Sequence, residues 1–225
     1  MLAIETATLA GSAALLDDDQ VIGQSLLDVT LTHSERLMAM VDRLLADCGW
    51  DIASLGALAV SIGPGSFTGL RVGVATVKGL AMALGLPVAP VPTLDALAGN
   101  LPFADAPVCP VLDARKGEVY LSLYRWREDG MRREWDYLAL SPRAAAERLQ
   151  APVIVIGDGV PACLPYLGRL GVGLRVAPPS HSAPSAAVVG RLGLRALAVG
   201  KGVAAASLAP LYVRPSQAEL RARCA

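Results

Sequence analysis

The chain has 225 residues, of which 53% are hydrophobic and 18% charged, a composition typical of a globular protein with a well-buried core. It carries 20 lysine and arginine residues against 20 aspartate and glutamate residues, so its net charge gives no argument for nucleic-acid binding. Its four cysteines have no paired spacing, which excludes a zinc ribbon, a CxxC redox motif and a secreted disulfide framework.

The sequence favours a soluble protein of the cytoplasm. Unpaired cysteines suit a reducing compartment, and Glu5 interrupts the apolar start of the chain, unlike a signal peptide. The uncharged run GLAMALGLPVAPVPTL is broken by three prolines, so we expect no membrane segment there. The two candidate basic patches are RWREDGMRR, from Arg125 to Arg133, and the tail RPSQAELRAR. A solvated strand edge and a frayed terminus are the alternatives, and we favour them.

The first elements alternate strands and helices. Three strands are predicted in MLAIETA, GSAALLDD and VIGQSLLDV, followed by a helix over THSERLMAMVDRLLADCGW with Thr32 or Ser34 as its N-cap. The strand LGALAVSIG, the helix FTGLRVGVATVKGLAMAL and the strand PVAPVP come next. This order is typical of an RNase H-like unit, in which an antiparallel hairpin leads into βαβ crossovers.

A proline-rich passage, GNLPFADAPVCP, separates this unit from a second one that repeats its theme. Strands are predicted in VCPVLDA, EVYLSLYRW, REWDYLAL and APVIVIGDG, with helices over SPRAAAERL and SAPSAAVVGRLGLRALAVG. We therefore expect an α/β protein made of two halves, residues 1–103 and 104–225, the second being degenerate. The repeat lies in the topology and not in the amino acids.

The segment SIGPGSFTGLRVGVATVKGLA resembles a phosphate-binding loop. However, it fits the spacing of neither of two phosphate-binding motifs nor of the nucleophile elbow of hydrolases. A dinucleotide-binding turn lacks its third glycine, and Pro64 has no N–H to offer a phosphate. Lys78 lies too far into the helix for a P-loop. A nucleophile elbow needs glycines on both sides of Ser66, where Pro64 and Thr68 stand.

The glycines inside this helix suggest a different role. Gly69 and Gly73 are four residues apart, and each interior glycine costs about 1 kcal/mol relative to alanine. That cost suggests close approach of another backbone, and the neighbouring helix adds Met38 and Met40 on the flanks of its apolar stripe. The two alternatives are a core helix with a thin solvated stripe and a helix that is also used at an interface.

Five segments together resemble the TsaB (YeaZ-like) family, the most specific being GPGSFTGLRVG within the third: IETATLAGSAALL, HSERLMAMVDRLL, SIGPGSFTGLRVGVATVKGLA, DARKGEVY and PLYVRPSQAE. The resemblance implies two RNase H-like halves in the arrangement of the actin and sugar-kinase (ASKHA) superfamily. It also implies a non-catalytic subunit of the bacterial complex that forms threonylcarbamoyladenosine in tRNA, next to the anticodon.

The resemblance implies that the chemistry belongs to a catalytic partner, TsaD. TsaD carries two metal-binding histidines where this chain has Thr93 and Leu97, and an acid where it has Leu9. The two histidines of this chain, His33 and His181, are far apart, and neither H-x-x-x-H nor H-E-x-x-H occurs, so the metallopeptidase label attached to this group lacks its ligands. We expect no catalytic residues, no metal and no cofactor.

A nucleotide-binding enzyme is the alternative function. A weak ATPase or kinase would use the cleft between the halves, with Asp113, Arg115 and Lys116 as candidate binding residues. A basic surface turn is the simpler interpretation of the same three residues, and we favour it.

The partners implied by the resemblance are TsaD, in a heterodimer, and TsaE, an ATPase. We expect contact through the two N-terminal helices, with self-association through the same surface when TsaD is absent and only indirect contact with tRNA. The expected interface residues are Leu37, Met38, Val41, Leu70, Val74 and Lys78.

Overall fold

The computed structural model describes residues 1–28 and 33–214, excepting the side chains of His33 and Ser34. Its first sheet has five strands in the spatial order β3-β2-β1-β4-β5. Their bounds are Leu2–Glu5, Gly11–Asp17, Gln20–Leu27, Leu58–Gly63 and Val88–Pro92 for β1 to β5. The predicted N-caps at Thr32 or Ser34, the side chain of His33, Cys224 and the basic tail beyond Arg214 lie outside the described residues.

Helices cover both faces of the first sheet, which explains the almost continuous apolar sequence of its inner strands. Helices α1 (His33–Cys48) and α2 (Phe67–Leu84) pack with one face, where Leu2, Leu15 and Val60 join a common core. The last helix, α6 (Ala186–Ala198), covers the other face and contacts β1, β2, β4 and β5. The predicted order of strands and helices up to β5 is therefore observed.

The second sheet repeats the topology of the first. Its main strands lie in the order β10-β7-β6-β11-β12, with β8 and β9 forming an added hairpin beside β6. The bounds from β6 to β12 are Val108–Arg115, Glu118–Leu121, Tyr124–Arg127, Gly130–Arg133, Leu138–Leu140, Val153–Ile156 and Leu174–Val176. Together the two sheets form two RNase H-like units in an actin-like arrangement.

The predicted single strand EVYLSLYRW is wrong, because the segment forms two strands that pair with opposite ends of β6. Strand β7 pairs with Val111 to Arg115, and β8 pairs with Val108. The break falls at Ser122, whose hydroxyl donates to the carbonyl of Trp135 at 2.7 Å. The predicted strand REWDYLAL shortens to β10 for the same reason, since the inserted β8–β9 hairpin takes up the chain before it.

Several shorter helices were not predicted, and the last helix crosses between the sheets. Helix α3 (Thr93–Ala98) follows β5, and α4 (Pro142–Arg148) and α5 (Val160–Leu167) pack on the second sheet. Of these three helices, only α4 was predicted. Since α6 comes from the second part of the sequence but covers the first sheet, the two structural units are not simply consecutive. The division at residues 103 and 104 stays a prediction.

Helix α2 lies unusually close to the end of β1. The Thr6 hydroxyl donates to the carbonyl of Gly69 at 2.8 Å, and a methyl group added at Gly73 would collide with the same hydroxyl. Gly65 packs directly on the backbone of Ala7, whose carbonyl accepts from the N–H of Ser66 at 2.7 Å. The glycines at 65 and 73 therefore serve the packing of this chain.

We expect Gly73→Ala to destabilise the fold by roughly 1–3 kcal/mol, because the new methyl group must displace the buried Thr6 side chain from its hydrogen bond. The control is Gly79→Ala in the same helix, where nothing lies within 4 Å of the added carbon. This variant should be neutral or stabilised by up to about 1 kcal/mol. Urea unfolding followed by circular dichroism measures both, and equal effects would contradict the packing account.

Candidate functional site

A cleft of about 600 Å³ lies between the β1–β2 turn and the start of α2 on one side and the β6–β7 hairpin on the other. Its walls combine four cationic side chains, two acidic ones and three aromatic rings. These are Arg71, Arg115, Lys116 and Arg214, then Asp113 and Asp158, then Phe67, Tyr120 and Tyr212. The three candidate binding residues Asp113, Arg115 and Lys116 are thus brought together at this cleft, whereas the sequence interpretation missed Arg71, Asp158, Tyr212 and Arg214.

The glycine-rich turn that borders the cleft is held by groups of the protein. The N–H of Gly63 donates to the Thr93 hydroxyl at 3.1 Å, and the Ser66 hydroxyl accepts from the N–H of Gly69 at 3.3 Å. Gly63 has a φ of 117°, in the region that favours glycine, and its missing side chain leaves room for the backbone of Leu211. These internal hydrogen bonds use donors that a phosphate-binding loop would offer to its ligand.

Thr93 and Leu97, which stand where the TsaD histidines would be, have structural roles at the start of α3. Thr93 is fully buried, and its hydroxyl accepts from the N–H of Gly63. Leu97 lies in the core shared by α3 and β6. His181 lies far from them in sequence, in a short 3₁₀ turn, with its ring 3.0 Å from the Ser180 hydroxyl. In residues 1–28 and 33–214, no group of three or more His, Cys, Asp or Glu side chains could hold a metal ion.

Glu5 is the most perturbed acid near the cleft. Its side chain is fully buried at the end of β1, where Oε1 accepts from the N–H of Ala7 at 2.6 Å and from the Ser61 hydroxyl at 3.1 Å, while Oε2 has no partner. Burial raises the pKa of Glu5 from 4.5 to about 8, and the negative charge of Asp158 acts in the same direction. The carboxyl group of Glu5 is therefore mainly protonated, and so uncharged, in the folded protein at pH 7.

The β6–β7 hairpin contains a compact group of charges. The carboxylate of Asp113 accepts from the N–H of Arg115 at 2.7 Å and lies 3.2 Å from its guanidinium. Asp158 accepts from the N–H of Asp113 at 3.0 Å, and burial raises the pKa of Asp158. Lys116 forms no hydrogen bond or ion pair with the part of the chain that is described. The turn thus offers one uncommitted ammonium group beside two carboxylates.

A strap formed by residues 208–214 runs along the cleft, which Tyr212 and Arg214 help to line. The N–H of Leu211 donates to the carbonyl of Ile62 at 2.7 Å, and the Tyr212 ring stacks on Phe67 with a centroid distance of 5.4 Å. Arg71 lies 3.8 Å above the Phe67 ring, and Arg214 pairs with Glu118 on β7. The strap therefore joins the start of α2 to the second sheet.

The choice of interface residues is corrected by the burial of α1 and α2. Four of the six expected contacts are buried in the core of this chain, with exposures of at most 5%, because they form the inner faces of the two helices: Leu37, Val41, Leu70 and Val74. Met38 is 40% exposed, and the ammonium group of Lys78 donates to the carbonyl of Ala206 at 3.0 Å. The apolar periodicity thus identified the residues that face the core, and those four residues are not available to a partner.

The outer face of α2 carries Arg71 near its start and is apolar from Ala75 onward, where it is largely uncovered in this chain. The helix has a mean hydropathy of 1.3, yet only six of its 18 residues are buried. Its exposed side chains include Phe67, Ala75 and Met82, and Met82 alone is 71% exposed. By length and composition α2 could also cross a membrane, a test that core helices of water-soluble proteins pass as well.

The candidate basic patch RWREDGMRR forms the β8–β9 hairpin, in which most arginines have partners. Arg125 pairs with Glu134 at 2.8 Å, and Arg132 pairs with Asp129 at 2.9 Å. The Arg133 guanidinium stacks on the Tyr137 ring at 4.2 Å. The segment is thus a solvated strand edge, the alternative that the sequence favoured.

Comparisons with known proteins agree with this architecture. A (R)-2-hydroxyglutaryl-CoA dehydratase component A from Acidaminococcus fermentans shares the fold at a TM-score of 0.52 and 10% identity, over 88% of this chain and 98% of that one. YeaZ from Pseudomonas aeruginosa is far more similar, with a TM-score of 0.80 and 31% identity over 94% of this chain and 98% of its own. The fold defines a protein of the ASKHA class.

Sequence comparisons then narrow the class to a family. The family model described as TsaD, tRNA N6-adenosine threonylcarbamoyltransferase, matches residues 28–158. The tRNA threonylcarbamoyladenosine biosynthesis protein TsaB of Escherichia coli is 34% identical over 95% of this chain and 94% of its own length. TsaB of Bacillus subtilis is 39% identical over a segment that covers 56% of each chain. The chain belongs to the TsaB/YeaZ family.

We expect Glu5→Gln to remove a pH dependence from the stability of the fold. In the wild type the unfolded chain ionises Glu5 near pH 4.5 and the folded chain only near pH 8, so the free energy of unfolding falls between these values as pH rises. The variant keeps a hydrogen-bond acceptor and has no proton to lose. As pH rises from 4.5, the stability of the variant should therefore increase relative to that of the wild type. The difference should reach the order of a few kcal/mol and become constant above about pH 8.

Urea unfolding at a series of pH values measures this difference. The control is Ala39→Gln on the exposed face of α1, which adds and removes no titratable group, so its difference from the wild type should stay constant over the same range. Parallel profiles for Glu5→Gln and the wild type would show that Glu5 is already charged in the folded protein.

Proposed function

We propose that this chain is a non-catalytic dimerisation and activating subunit, which supports a TsaD-type catalytic subunit in transferring a threonylcarbamoyl group to tRNA. The acceptor is the adenosine next to the anticodon. Membership of the TsaB/YeaZ family supports the pathway, since curated relatives are named for threonylcarbamoyladenosine biosynthesis. The observation that carries the subunit role is the outer face of α2, on which Ala75, Gly79 and Met82 lie exposed.

The surface proposed for the catalytic partner is the outward face of α1 and α2, which pack side by side. Its larger contacts are Met38 on α1 and Phe67 and Met82 on α2. Ala75 and Gly79 lie between the last two and expose little more than backbone, which lets a facing helix approach closely. Large adaptable side chains around small ones suit a packed helical bundle between subunits.

The contribution to catalysis is then structural. Thr93 and Leu97 offer no imidazole for a metal, so the metal and the acyl transfer belong to the partner. Covering the α1 and α2 surface buries apolar area on both subunits, and anything that binds only the folded partner raises the population of its folded state. We infer that this chain activates the catalytic subunit by stabilising the conformation in which that subunit is active.

The remaining partners follow from the family relationship. A TsaE-type ATPase would join the complex, tRNA would be held mainly by the catalytic subunit, and the protein would act in the cytoplasm. In the absence of the partner, a second copy of this chain would cover the same apolar face, as expected for an isologous dimer. The two associations are mutually exclusive because they use the same side chains.

A nucleotide enzyme is the second candidate, supported by the size of the cleft and by Lys116, Arg115 and Arg71 on its walls. Against it, the carboxylates of Asp113 and Asp158 border the same space and repel phosphates, and the glycine-rich turn uses its donors within the protein. We therefore place the function of the chain on the helical surface.

We expect Ala75→Glu and Met82→Glu to weaken the complex with the TsaD-type subunit by at least about 30-fold, because each buries an unpaired carboxylate in the interface. Both positions are exposed in this chain, so the variants should fold normally. Leu164→Glu is the matched control, an exposed apolar residue on α5 that lies away from α1 and α2. Isothermal titration calorimetry measures the affinities, and light scattering gives the stoichiometry.

A one-to-one complex that is weakened only by the α2 variants supports the proposal. Full affinity in both Ala75→Glu and Met82→Glu would place the partner elsewhere on the chain, and loss of affinity in Leu164→Glu would show a general loss of structure.

We expect no change in melting temperature when millimolar Mg-ATP is added to the isolated protein. A ligand at a hundred times its dissociation constant adds about 2.7 kcal/mol to stability, so real binding would raise the melting temperature by several degrees. Lys116→Ala tests the source of any such rise. A rise that disappears in this variant would favour the nucleotide enzyme over the subunit role.

A further inference from the structure

Strand β3 is the outer strand of the first sheet, and within the described residues it pairs only with β2. It spans eight residues, Gln20–Leu27, and contains no proline, lysine or arginine. One row of its backbone N–H and C=O groups therefore faces away from the sheet without a strand partner.

The other sheet edges are protected. Strand β5 carries Pro90 and Pro92, and its Val88 exchanges two backbone hydrogen bonds with Val203, at 3.1 and 2.8 Å. The edges β10 and β12 of the second sheet have only three residues each, and β9 of the added hairpin ends in two arginines. Among the described strands, β3 is the long edge left open, and its register with β2 is broken only once, by a bulge at Ile22.

The side chains of β3 add an apolar surface to this open edge. Four large apolar side chains are each between 37% and 43% exposed: Val21, Ile22, Leu26 and Leu27. They lie toward both ends of the strand, while Gln24 in the middle donates to the Ser185 hydroxyl at 3.2 Å. An added strand would gain backbone hydrogen bonds and apolar contacts together, the combination used in β-strand addition.

Acidic residues stand at both ends of the strand. Asp17, Asp18 and Asp19 precede it, Asp28 follows it, and none of the four forms a salt bridge within the described residues. In an antiparallel pair of two β3 strands about their centre, Asp19 of each copy would face Asp28 of the other. Like charges directly opposite each other destabilise a pair of strands, so self-pairing through this edge is disfavoured.

We propose that β3 is a docking edge for an extended segment of a partner protein, apolar in its middle and basic at both ends. The segment adds to the sheet beside β3, its side chains contact Val21 and Leu26, and its basic ends lie against Asp19 and Asp28. This surface is separate from the outer face of α2, so a failure here leaves the subunit role untouched.

A labelled peptide of alternating valine and threonine, with two lysines at each end, tests the proposal on the full chain by fluorescence anisotropy. The comparison peptide has glutamates in place of the lysines. The lysine peptide should bind at least about tenfold more tightly, and Leu26→Lys should weaken it by a similar factor. Leu164→Lys is the matched control, because Leu164 and Leu26 are both 43% exposed.

Hydrogen exchange distinguishes strand addition from simple charge attraction. When the lysine peptide binds, amides of β3 should become protected from exchange. Equal binding of the two peptides, undiminished binding to Leu26→Lys, unchanged exchange in β3, or no binding at millimolar peptide would each overturn the proposal. So would a dimer of the isolated protein that Leu26→Lys disrupts, since the edge would then serve a second copy.

Discussion

The close approach of α2 to the end of β1 is the constraint on which the rest of the structure depends. The hydrogen bond from Thr6 to the carbonyl of Gly69 and the absence of a side chain at Gly73 hold the helix against the strand. This contact fixes the direction in which α2 leaves the sheet. It also closes the turn from Gly63 to Ser66 with internal hydrogen bonds, so that the glycine-rich segment serves packing and leaves few donors for a phosphate.

The same constraint divides α2 into two faces with different uses. Val74 and Val77 on the inner face complete the core under the first sheet, while Ala75 and Met82 on the outer face remain exposed. The inner face is covered within the chain, and the outer face is the surface that we propose for a partner. The fold has the ASKHA architecture, and we place the proposed function on the helix surface and not in the cleft.

Much of the fold could be predicted from the sequence, because local patterns determine it. Apolar runs located β1, β2, β4 and β5, and the period of the apolar residues located α1 and α2. The break at Ser122 could not be predicted, since it arises from the bond to Trp135, thirteen residues away. The packing of α6 on the first sheet could not be predicted either, because it depends on contacts between residues far apart in the sequence. Periodicity shows that Leu37 and Leu70 share a face with other apolar residues, but it cannot tell which face the sheet covers.

Formation of threonylcarbamoyladenosine in a reconstituted reaction tests the central claim most directly. The TsaD-type subunit, its substrates and tRNA are combined with this protein or its variants, and the modified adenosine is measured by mass spectrometry. The account predicts that modification depends on this protein, is lost with Met82→Glu, and is kept with Lys116→Ala and Asp113→Asn in the cleft. Modification that survives Met82→Glu but is abolished by the cleft variants would contradict it and return the function to the cleft.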